Sequence, residues 1–427
     1  MIKDLQKIPA SWKKVKLGEV TESIKEVCPK GSFPYLEIGD IDVKYKRYIL
    51  KEKTSPEHCV KATRNCVVIS KVRPTRGALA KIKENFLFAS PALLVLNSDN
   101  NNFLFYALSR EHFSNYLGTR ETGTTYPSVN DKDILDFDLL FPNNFAEQEK
   151  IAEILETVDN TIEKTDAIIE KYKRIKQGLM QELLTKGIDE NWEVRSEKTH
   201  KFKDSPLGRI PSDWEVKKLE EIGKSFAGGT PSSGISEYYN GDIKWLKSGE
   251  INSKYIYNTE ETLTSSGLRN SNAKWIEGNT VVIAMYGATA GQVGIVKTKM
   301  TANQAVLALS INEKERVYFE YLYYSLLVSV NLLLSNLQGS GQPNLNKGNI
   351  DNLIIALPPL PEQERIASVL SQVDTVIEKE TAYRDKLSRI KQGLMEDLLT
   401  GKVRVTTLLE NKNNQYQKED LYAENNS

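Results

Sequence analysis

The sequence predicts an α+β protein in which two mostly-β globular heads are separated by two long antiparallel helices that form a coiled coil, with an internal pseudo-twofold repeat. Three observations support this fold class: a duplicated segment, a heptad pattern inside that segment, and short β-branched runs in the region before each copy. Self-similarity at a fixed period is the signature of a repeated architecture, so the duplication organises the whole chain.

The duplicated segment covers residues 147–185 and 362–400, and about 23 of its 39 aligned positions are identical. A second pair, Ile-Pro-Ala-Ser-Trp at 8–12 and Ile-Pro-Ser-Asp-Trp at 210–214, opens each half. The tail is rich in Asn, Gln, Lys and Glu, which favours disorder. The predicted division is head one (1–146), a long helix (147–186), a linker (187–207), head two (208–360), a second long helix (361–401) and a disordered tail (402–427).

Within each copy, apolar residues recur in steps of three and four, which is the heptad seam of a helix that pairs with another helix. A helix of 39 residues is roughly 58 Å long at about 1.5 Å per residue. Gly187 and Gly401 follow the two copies, where helices commonly end. The alternative is a helix buried inside each head. The seam residues are Ile151, Leu155, Val158, Ile162, Ile169, Leu179, Ile366, Leu370, Val373, Ile377, Leu387 and Leu394.

Each head contains short apolar runs that predict buried strands, at 66–69 and 93–96 in head one and at 281–283 and 305–309 in head two. One amphipathic helix is expected in each head, at 103–117 and 318–337. Each head is therefore predicted to be a mixed globule made mostly of strands.

The chain has 427 residues with 57 basic and 57 acidic side chains, so its overall charge argues against unselective coating of nucleic acid. A basic stretch at 44–83 nevertheless fits phosphate contact at a confined site. Cys28, Cys59 and Cys66 make no disulfide framework and suit a reducing compartment. No apolar leader begins the sequence, and we expect a cytoplasmic location without membrane contact.

Two loops in each head have the composition of a DNA-contacting surface, at 71–77 and 120–126 in head one and at 285–292 and 338–344 in head two. Glycine lets backbone approach phosphate closely, while Arg, Gln and Asn hydrogen-bond to base edges. A loop rich in Gly and Thr is also a common turn, and that alternative stays open. The candidate DNA-binding residues are Lys44, Lys46, Arg47, Lys71, Arg73, Arg76, Arg120, Thr124, Thr125, Tyr126, Tyr286, Thr289, Gln292, Ser340, Gln342 and Asn344.

Enzymatic motifs are missing from the sequence. There is no Asn/Asp-Pro-Pro-Tyr/Phe methyltransferase motif and no phosphate-binding Gly-x4-Gly-Lys-Ser/Thr loop. The Gly-rich stretch at 226–230 lacks the strand–loop–helix context of a methyl-donor site. His58, Cys59 and Cys66 lack a fourth ligand at zinc-site spacing. We therefore predict a chain with no catalytic residue, no metal and no cofactor of its own.

The duplicated helix, with Glu-Gln-Glu at its start and Ile-Lys-Gln-Gly-Leu-Met near its end, resembles the conserved regions of specificity subunits of Type I restriction-modification enzymes. The linker at 202–211, followed by Trp214, is similar to the same family. In head two, the stretches at 228–232, 284–287 and 303–305 resemble one type of target recognition domain of that family. The resemblance covers the chain except for its tail, and head one departs further from the family pattern.

The resemblance implies that each head is a target recognition domain and that together they recognise two short half-sites of double-stranded DNA around a non-specific spacer. It implies that two modification subunits dock on the long helices, with the twelve seam residues as candidate docking contacts, and supply S-adenosylmethionine-dependent adenine N6-methylation. Restriction subunits would add translocation and cleavage that use ATP and Mg²⁺, and the helices would act as a ruler between the heads. Two alternatives remain: a coiled-coil scaffold that binds no DNA, and a self-contained Mg²⁺-dependent nuclease.

Overall fold

The structure is a computed structural model that describes residues 8–313, 315–337 and 344–409. The chain clusters into two compact units. Unit 1 contains the described residues up to Ala167 and from Thr381 onward, and unit 2 contains Ile168–Glu380. Each unit therefore combines one head with part of both long helices, a division that differs from the predicted one. Over the described ranges, the helices are too short or too polar to cross a lipid bilayer.

Head one precedes the first long helix. Its elements are β1 (Trp12–Lys16), β2 (Glu22–Ser23), β3 (Val27–Cys28), β4 (Tyr35–Leu36), β5 (Ile41–Asp42), β6 (Arg47–Tyr48), β7 (Cys59–Thr63), β8 (Val67–Ser70), β9 (Leu79–Lys81), β10 (Phe86–Ala89), β11 (Leu93–Asn97), α1 (Asn101–Leu108), α2 (Glu111–Gly118), α3 (Asp131–Leu135) and β12 (Asp138–Pro142). The first long helix, α4, is Phe145–Leu183.

Two four-stranded sheets build head one, in the orders β3-β7-β10-β4 and β2-β11-β8-β9. The predicted strands at 66–69 and 93–96 are confirmed as β8 and β11, which pair antiparallel. Successive side chains of a strand point to opposite faces of its sheet. Val67 and Ile69 accordingly pack with α1 and the start of α4, whereas Val68 packs in a second core behind the sheet. Both faces are covered, which explains the continuous apolar runs.

Head two repeats this plan after a short hairpin. The elements that follow α4 are β13 (Phe202–Ser205), β14 (Gly208–Pro211), β15 (Glu215–Lys218), α5 (Leu219–Ile222), β16 (Gly223–Ala227), β17 (Tyr239–Leu246), β18 (Tyr255–Ile256), β19 (Glu261–Leu263), α6 (Ser265–Arg269), β20 (Thr280–Ala284), β21 (Val293–Val296), β22 (Thr301–Ala302), β23 (Val306–Ile311), α7 (Phe319–Leu337), α8 (Lys347–Asp351) and β24 (Ile354–Leu357). The second long helix, α9, is Leu360–Leu399.

The central strands of head two also separate two cores. The predicted strands at 281–283 and 305–309 are confirmed as β20 and β23, which lie side by side in a five-stranded sheet of order β16-β23-β20-β21-β18. Val281 and Ile283 pack with α7 and the start of α9. Val282 and Ala284 face a second core. Both heads thus present one apolar sheet face to a long helix.

The long helices run antiparallel within each unit. In unit 1, Lys391 of α9 pairs with Asp159 of α4, and Arg384 of α9 pairs with Asp166 of α4. Residue numbers therefore increase along one helix as they decrease along the other. In unit 2, Leu183 near the end of α4 packs in one cluster with residues of the first turns of α9. The fold class is thereby confirmed, with duplicated α+β heads and paired antiparallel helices.

The heptad seam is buried as predicted. Of the twelve seam residues, Ile151, Leu155, Ile162, Ile169, Ile366 and Leu370 are fully buried, and the other six are half-buried. The first seam residues of each helix belong to the head core, so the alternative of a helix buried in the head describes the first turns correctly. Side chains with no exposed surface cannot form a docking face. Ile151, Leu155, Ile366 and Leu370 therefore hold the fold together and are not contacts for a partner subunit.

Two predictions were wrong in detail. The single helix expected at 103–117 is two helices, because Ser109 Oγ bonds back to the carbonyl of Phe105 at 2.7 Å and Arg110 is extended. The tail was expected to be disordered from residue 402. Instead, Val405 is buried and Arg404 forms an ion pair with Glu147 at 2.6 Å. The rest of that prediction, 410–427, lies outside the described residues. In head two, the helix expected at 318–337 is confirmed as α7.

Candidate functional site

The two predicted loops of head one lie side by side. The amide of Arg73 donates to the carbonyl of Pro127 at 2.7 Å, and the amide of Val129 donates to the carbonyl of Lys71 at 2.9 Å. The first loop leaves the buried strand β8 and the second leads into α3, so the core determines where each loop begins or ends. Backbone bonds between the loops then hold them as one surface.

This surface surrounds an open hollow of about 560 Å³, which we call the head-one hollow. Its walls include Arg73, Arg76 and Tyr126, together with Ile41 and Val43 from the β5–β6 hairpin. The guanidinium of Arg73 lies 5.6 Å from the centre of the Tyr126 ring, which is 70% exposed. Arg76 is also exposed. Planar guanidinium groups beside an open aromatic ring are suited to base edges and base faces.

The backbone of the first loop is unusual at Arg73. Its φ of 48° lies in the left-handed region, which non-glycine side chains rarely adopt. Gly77, at the other end of the same turn, has a φ of 67°. Glycine adopts this conformation without cost, whereas a non-glycine residue such as Arg73 keeps it only where surrounding contacts hold it, and such residues cluster at functional sites. The structure therefore singles out the turn from Arg73 to Gly77.

The remaining head-one candidates occupy several environments. Thr124 and Thr125 are exposed beside Tyr126. Lys44 is exposed, and Arg47 lies 4.5 Å from the ring centre of Tyr45.

Three basic candidates are engaged within the head instead. Lys71 pairs with Asp131 at 3.2 Å. The ammonium of Lys46 donates a hydrogen bond to the carbonyl of Gly77, and burial lowers its pKa, with nearby Lys391 adding to the effect.

Arg120 is the third basic candidate that is engaged within the head. Its guanidinium lies 5.3 Å from the ring centre of Tyr116, in a cleft that Lys14, Lys16 and His112 also line. Arg120 does not line the head-one hollow, because the chain turns after α2 and directs its side chain back along that helix.

In head two, the corresponding loops are joined in the same way. The amide of Leu345 donates to the carbonyl of Met285 at 2.7 Å, as Val129 does to Lys71 in head one. Gly287 and Gly291 have φ of 87°, and a Cβ on Gly291 would lie 2.2 Å from Leu334, so glycine is needed there for conformation and space. The sequence pairing of the loops across the heads is therefore also a structural pairing.

The side chains on the head-two loops differ from those of head one. Tyr286 donates through its hydroxyl to the carbonyl of Gln304 at 2.8 Å. Gln292 and Asn344 are exposed, and Thr289 is half-buried. The other two candidates, Ser340 and Gln342, lie outside the described residues.

The neighbouring Gly-Gly stretch of head two has a packing role. A Cβ on Gly228 would lie 2.1 Å from the carbonyl oxygen of Ala302, and one on Gly229 would lie 2.2 Å from the carbonyl carbon of Asn272. Trp245 donates its indole N–H to the carbonyl of Gly229 at 3.0 Å. These glycines allow chain segments to touch, which accounts for their spacing without a bound methyl donor.

A buried Trp–Glu–Arg cluster, which sequence reasoning missed, recurs in both units. In unit 2, Glu362 accepts from the indole of Trp214 at 3.1 Å and from Arg195 at 2.8 Å. In unit 1, Glu147 accepts from Trp12 at 3.2 Å and from Arg404 at 2.9 Å. The signal was present in the sequence, because the Glu of each helix start and the Trp of each head are both duplicated.

A second repeated contact docks the head helix onto the long helices. Tyr106 donates to Asp159 at 3.0 Å, and Lys391 pairs with the same carboxylate at 2.6 Å. In unit 2, Tyr324 donates to Asp374 at 2.5 Å, and Lys176 pairs with that carboxylate at 2.6 Å.

Asp159 and Asp374 are equivalent in the duplication, as are Lys176 and Lys391. Identity at these polar positions off the seam was the available signal for this contact.

Comparisons with known proteins identify the family to which this architecture belongs. A family model described as the Type I restriction modification DNA specificity domain matches residues 9–174 and 211–389. The specificity subunit of the Type I restriction enzyme MjaVIII from Methanocaldococcus jannaschii is 27% identical over 434 residues, covering 94% of this chain and 95% of that protein. The MjaIX specificity subunit of the same organism is 32% identical over 201 residues, covering 46% of each chain.

Among solved structures, the S subunit of a Type I restriction-modification system from M. genitalium matches with a TM-score of 0.60 and 16% identity, over 93% of this chain and 98% of that one. This likeness supports the fold. The family model covers both halves of the chain and most of its length. The protein therefore belongs to the family of DNA specificity subunits of Type I restriction-modification enzymes.

Proposed function

We propose that this specificity subunit recognises a bipartite double-stranded DNA site, in which each head binds one short half-site. The observation that supports this proposal is the repeated junction of two loops, closed by equivalent backbone hydrogen bonds in each head. Head one presents Arg73, Arg76 and Tyr126 there, whereas head two presents Gln292 and Asn344. A common frame with different side chains is expected where each head distinguishes a different base sequence.

The charge distribution agrees with recognition at confined sites. Basic and acidic residues are equal in number over the whole chain, so a large sequence-independent attraction to DNA is not expected. Exposed cations near the head-one hollow, such as Lys44 and Arg76, supply local phosphate or base contacts. Affinity should therefore fall with salt by an amount that reflects a small number of phosphate contacts.

The proposed docking surface for modification subunits lies on the exposed face of the long helices. Gly178 and Gly393 occupy equivalent positions in the interior of α4 and α9, where glycine costs about 1 kcal/mol relative to alanine. A Cβ on either residue would meet nothing within 4 Å, so no contact within the described part of the chain requires glycine there. Ile175 and Ile390, one turn earlier, are 38% and 43% exposed.

The neighbours of these glycines are identical in both copies, with exposed Arg174 and Gln177 on α4 matching exposed Arg389 and Gln392 on α9. An identical exposed surface that occurs twice fits two copies of one partner. Glycine within it allows the partner backbone to approach the helix closely. We therefore assign this surface, in place of the buried seam, to the two modification subunits.

The chemistry belongs to the partners in this proposal. Modification subunits supply S-adenosylmethionine and adenine N6-methylation, and restriction subunits supply cleavage that uses ATP and Mg²⁺. The specificity subunit positions the DNA for them and has no catalytic step of its own.

The decisive test is adenine methylation mapped by long-read sequencing of DNA from cells that co-express this chain with its modification subunit. We expect one motif of two short specific parts with a fixed gap, lost when this chain is omitted. Absent or motif-free methylation, with both proteins shown to be folded and associated, would favour the scaffold alternative. Mg²⁺-dependent cleavage by the purified chain alone would favour the nuclease alternative.

A further inference from the structure

The turn from Arg73 to Gly77 carries both arginines of the head-one hollow, and it has few contacts of its own. Within it, Arg76 and Gly77 donate their amides to the carbonyls of Arg73 and Pro74, at 3.0 and 2.8 Å. The side chain of Arg73, the residue at the start of this short helical turn, makes no capping hydrogen bond. The positive φ of Arg73, which costs free energy for a non-glycine residue, therefore has to be held by groups from outside the turn.

Two of those outside groups come from the second loop. The carbonyl of Pro127 accepts the amide of Arg73 at 2.7 Å, and the carboxylate of Glu121 accepts the amide of Thr75 at 3.2 Å. Both bonds hold the first part of the turn. The far end, at Gly77, is held by the ammonium of Lys46, which donates to the Gly77 carbonyl from the β5–β6 hairpin.

The environment of Lys46 is unlike that of a phosphate-binding lysine. Its side chain is half-buried, and within the described ranges no carboxylate forms an ion pair with it. It lines a small cleft of about 20 Å³ together with Pro74, Gly77 and Ser114, which has room for about one water molecule. A Cβ on Gly77 would lie 2.8 Å from its Nζ atom.

A half-buried cation without a counter-ion loses part of its hydration, which costs free energy unless a hydrogen bond compensates for it. The contact here is a charge-assisted hydrogen bond, which is stronger than one between neutral groups. Lys46 itself has a φ of 53°, in the left-handed region that non-glycine residues rarely adopt.

We propose that Lys46 is a specificity-determining positioning residue, which holds the Arg73–Gly77 turn in place so that Arg73 and Arg76 reach base edges of the head-one half-site, and that Lys46 does not itself contact DNA. This inference rests on the proposed DNA recognition by head one. It assigns to Lys46 a role different from the direct DNA contact expected from the sequence.

The test compares Lys46→Met with Lys44→Met, an exposed lysine of the same hairpin. Methionine matches the lysine stem in size and removes both the charge and the donor to the Gly77 carbonyl. Each variant, in complex with modification subunits, is titrated at several salt concentrations. The probes are two DNA duplexes. One contains the motif that methylation mapping identifies, and in the other the head-one half-site of that motif is scrambled. Amide exchange of the turn is measured without DNA.

For Lys46→Met we expect at least a tenfold loss of discrimination between the duplexes, an unchanged salt slope, and faster exchange at the amides of Arg76 and Gly77. For Lys44→Met we expect uniformly weaker binding, with the salt slope reduced by about 1 if it touches phosphate. A Lys46→Met protein that loses affinity equally for both duplexes, with a reduced slope, would overturn the proposal. Unchanged discrimination and exchange would overturn it too.

Two controls keep the outcomes separable. If Lys46→Met does not fold, Lys46→Gln retains a donor without the charge. Discrimination equal to the parent in that variant would show that the charge-assisted bond is not needed. If Arg76→Ala leaves discrimination intact, the assignment of head one to a half-site fails. The exchange measurement without DNA still decides whether Lys46 holds the turn.

Discussion

The indole nitrogen of Trp214 donates a hydrogen bond to the carboxylate of Glu362 at 3.1 Å, and both side chains are removed from solvent. The same bond joins Trp12 to Glu147 in unit 1. Each bond ties the start of a long helix to the beginning of the head before it, since Trp12 begins β1 and Trp214 directly precedes β15. Gly187 lies against this contact in unit 2, where a Cβ would be 2.2 Å from the Glu362 carboxylate. In unit 2, the segment that follows the end of α4 and the start of α9 therefore meet at one buried cluster.

We expect Trp214→Phe to lower the free energy of unfolding by about 1–3 kcal/mol, because it leaves a buried carboxylate short of one donor. Trp12→Phe should have an effect of similar size in unit 1. Urea unfolding followed by circular dichroism measures both. Trp275→Phe, at a ring that is 41% exposed, is the control. Changes no larger than that of the control would show that the repeated bond is not stabilising.

The Tyr–Asp–Lys contact should couple the long helices more strongly than ordinary surface pairs. Lys176 and Asp374 are 21% and 13% exposed, so solvent screens them only partly. A double-mutant cycle with Lys176→Ala and Asp374→Ala should give a coupling energy of about 1–2 kcal/mol. The exposed pair Lys173–Glu170, at 2.8 Å, should give about 0.3 kcal/mol. Equal couplings for the two pairs would refute the partial-burial argument.

Arg73→Ala and Arg76→Ala should weaken recognition of one half-site. If either arginine hydrogen-bonds to a guanine, its loss should reduce the discrimination between the correct and the scrambled half-site by about 1–3 kcal/mol. The control is Arg120→Ala, since Arg120 lines another cleft and should leave discrimination unchanged. Binding to duplexes with each half-site scrambled in turn measures these effects. A loss at Arg120 as large as that at Arg76 would mean that the head-one hollow is not the recognition surface.

Gln292→Ala and Asn344→Ala should alter recognition of the other half-site. A bidentate amide contact to adenine is worth about 1–3 kcal/mol of discrimination. The methylation motif of each variant should relax in one part and keep the other part as it is in the parent. Relaxation of both parts by a single substitution would contradict independent recognition by the two heads.

The glycines on the exposed helix face should lower the stability of the long helices and favour association with modification subunits. Gly178→Ala and Gly393→Ala should each raise the free energy of unfolding by roughly 0.5–1 kcal/mol, because alanine is the better helix former. The same changes should weaken association with modification subunits, measured by analytical ultracentrifugation. Asn160→Ala, at an exposed position of α4 that differs from its counterpart, should leave association unchanged. Stabilised variants with full association would remove this surface from the docking proposal.

Much of the local structure was predictable because it depends on short-range patterns. The runs at 66–69 and 281–283 are strands with both faces covered, which a continuous apolar stretch indicates. The long helices end just before Gly187 and Gly401, whose positive φ favours glycine. The break between α1 and α2 was not predictable, because Ser109 and Arg110 are residue types that helices accommodate, yet Arg110 is extended in the structure.

The sequence by itself determined the duplication, the heptad seam and the membership of four loops in two equivalent pairs, since these depend on residue order alone. Only the tertiary structure decided which side chains share an environment. Lys46 and Arg76 both belong to the basic stretch at 44–83, yet Lys46 is half-buried and donates to the carbonyl of Gly77, whereas Arg76 is exposed. Periodicity specifies which face of an element is apolar. The atoms that approach a given polar group come from distant parts of the chain, and their positions are set by how the cores pack.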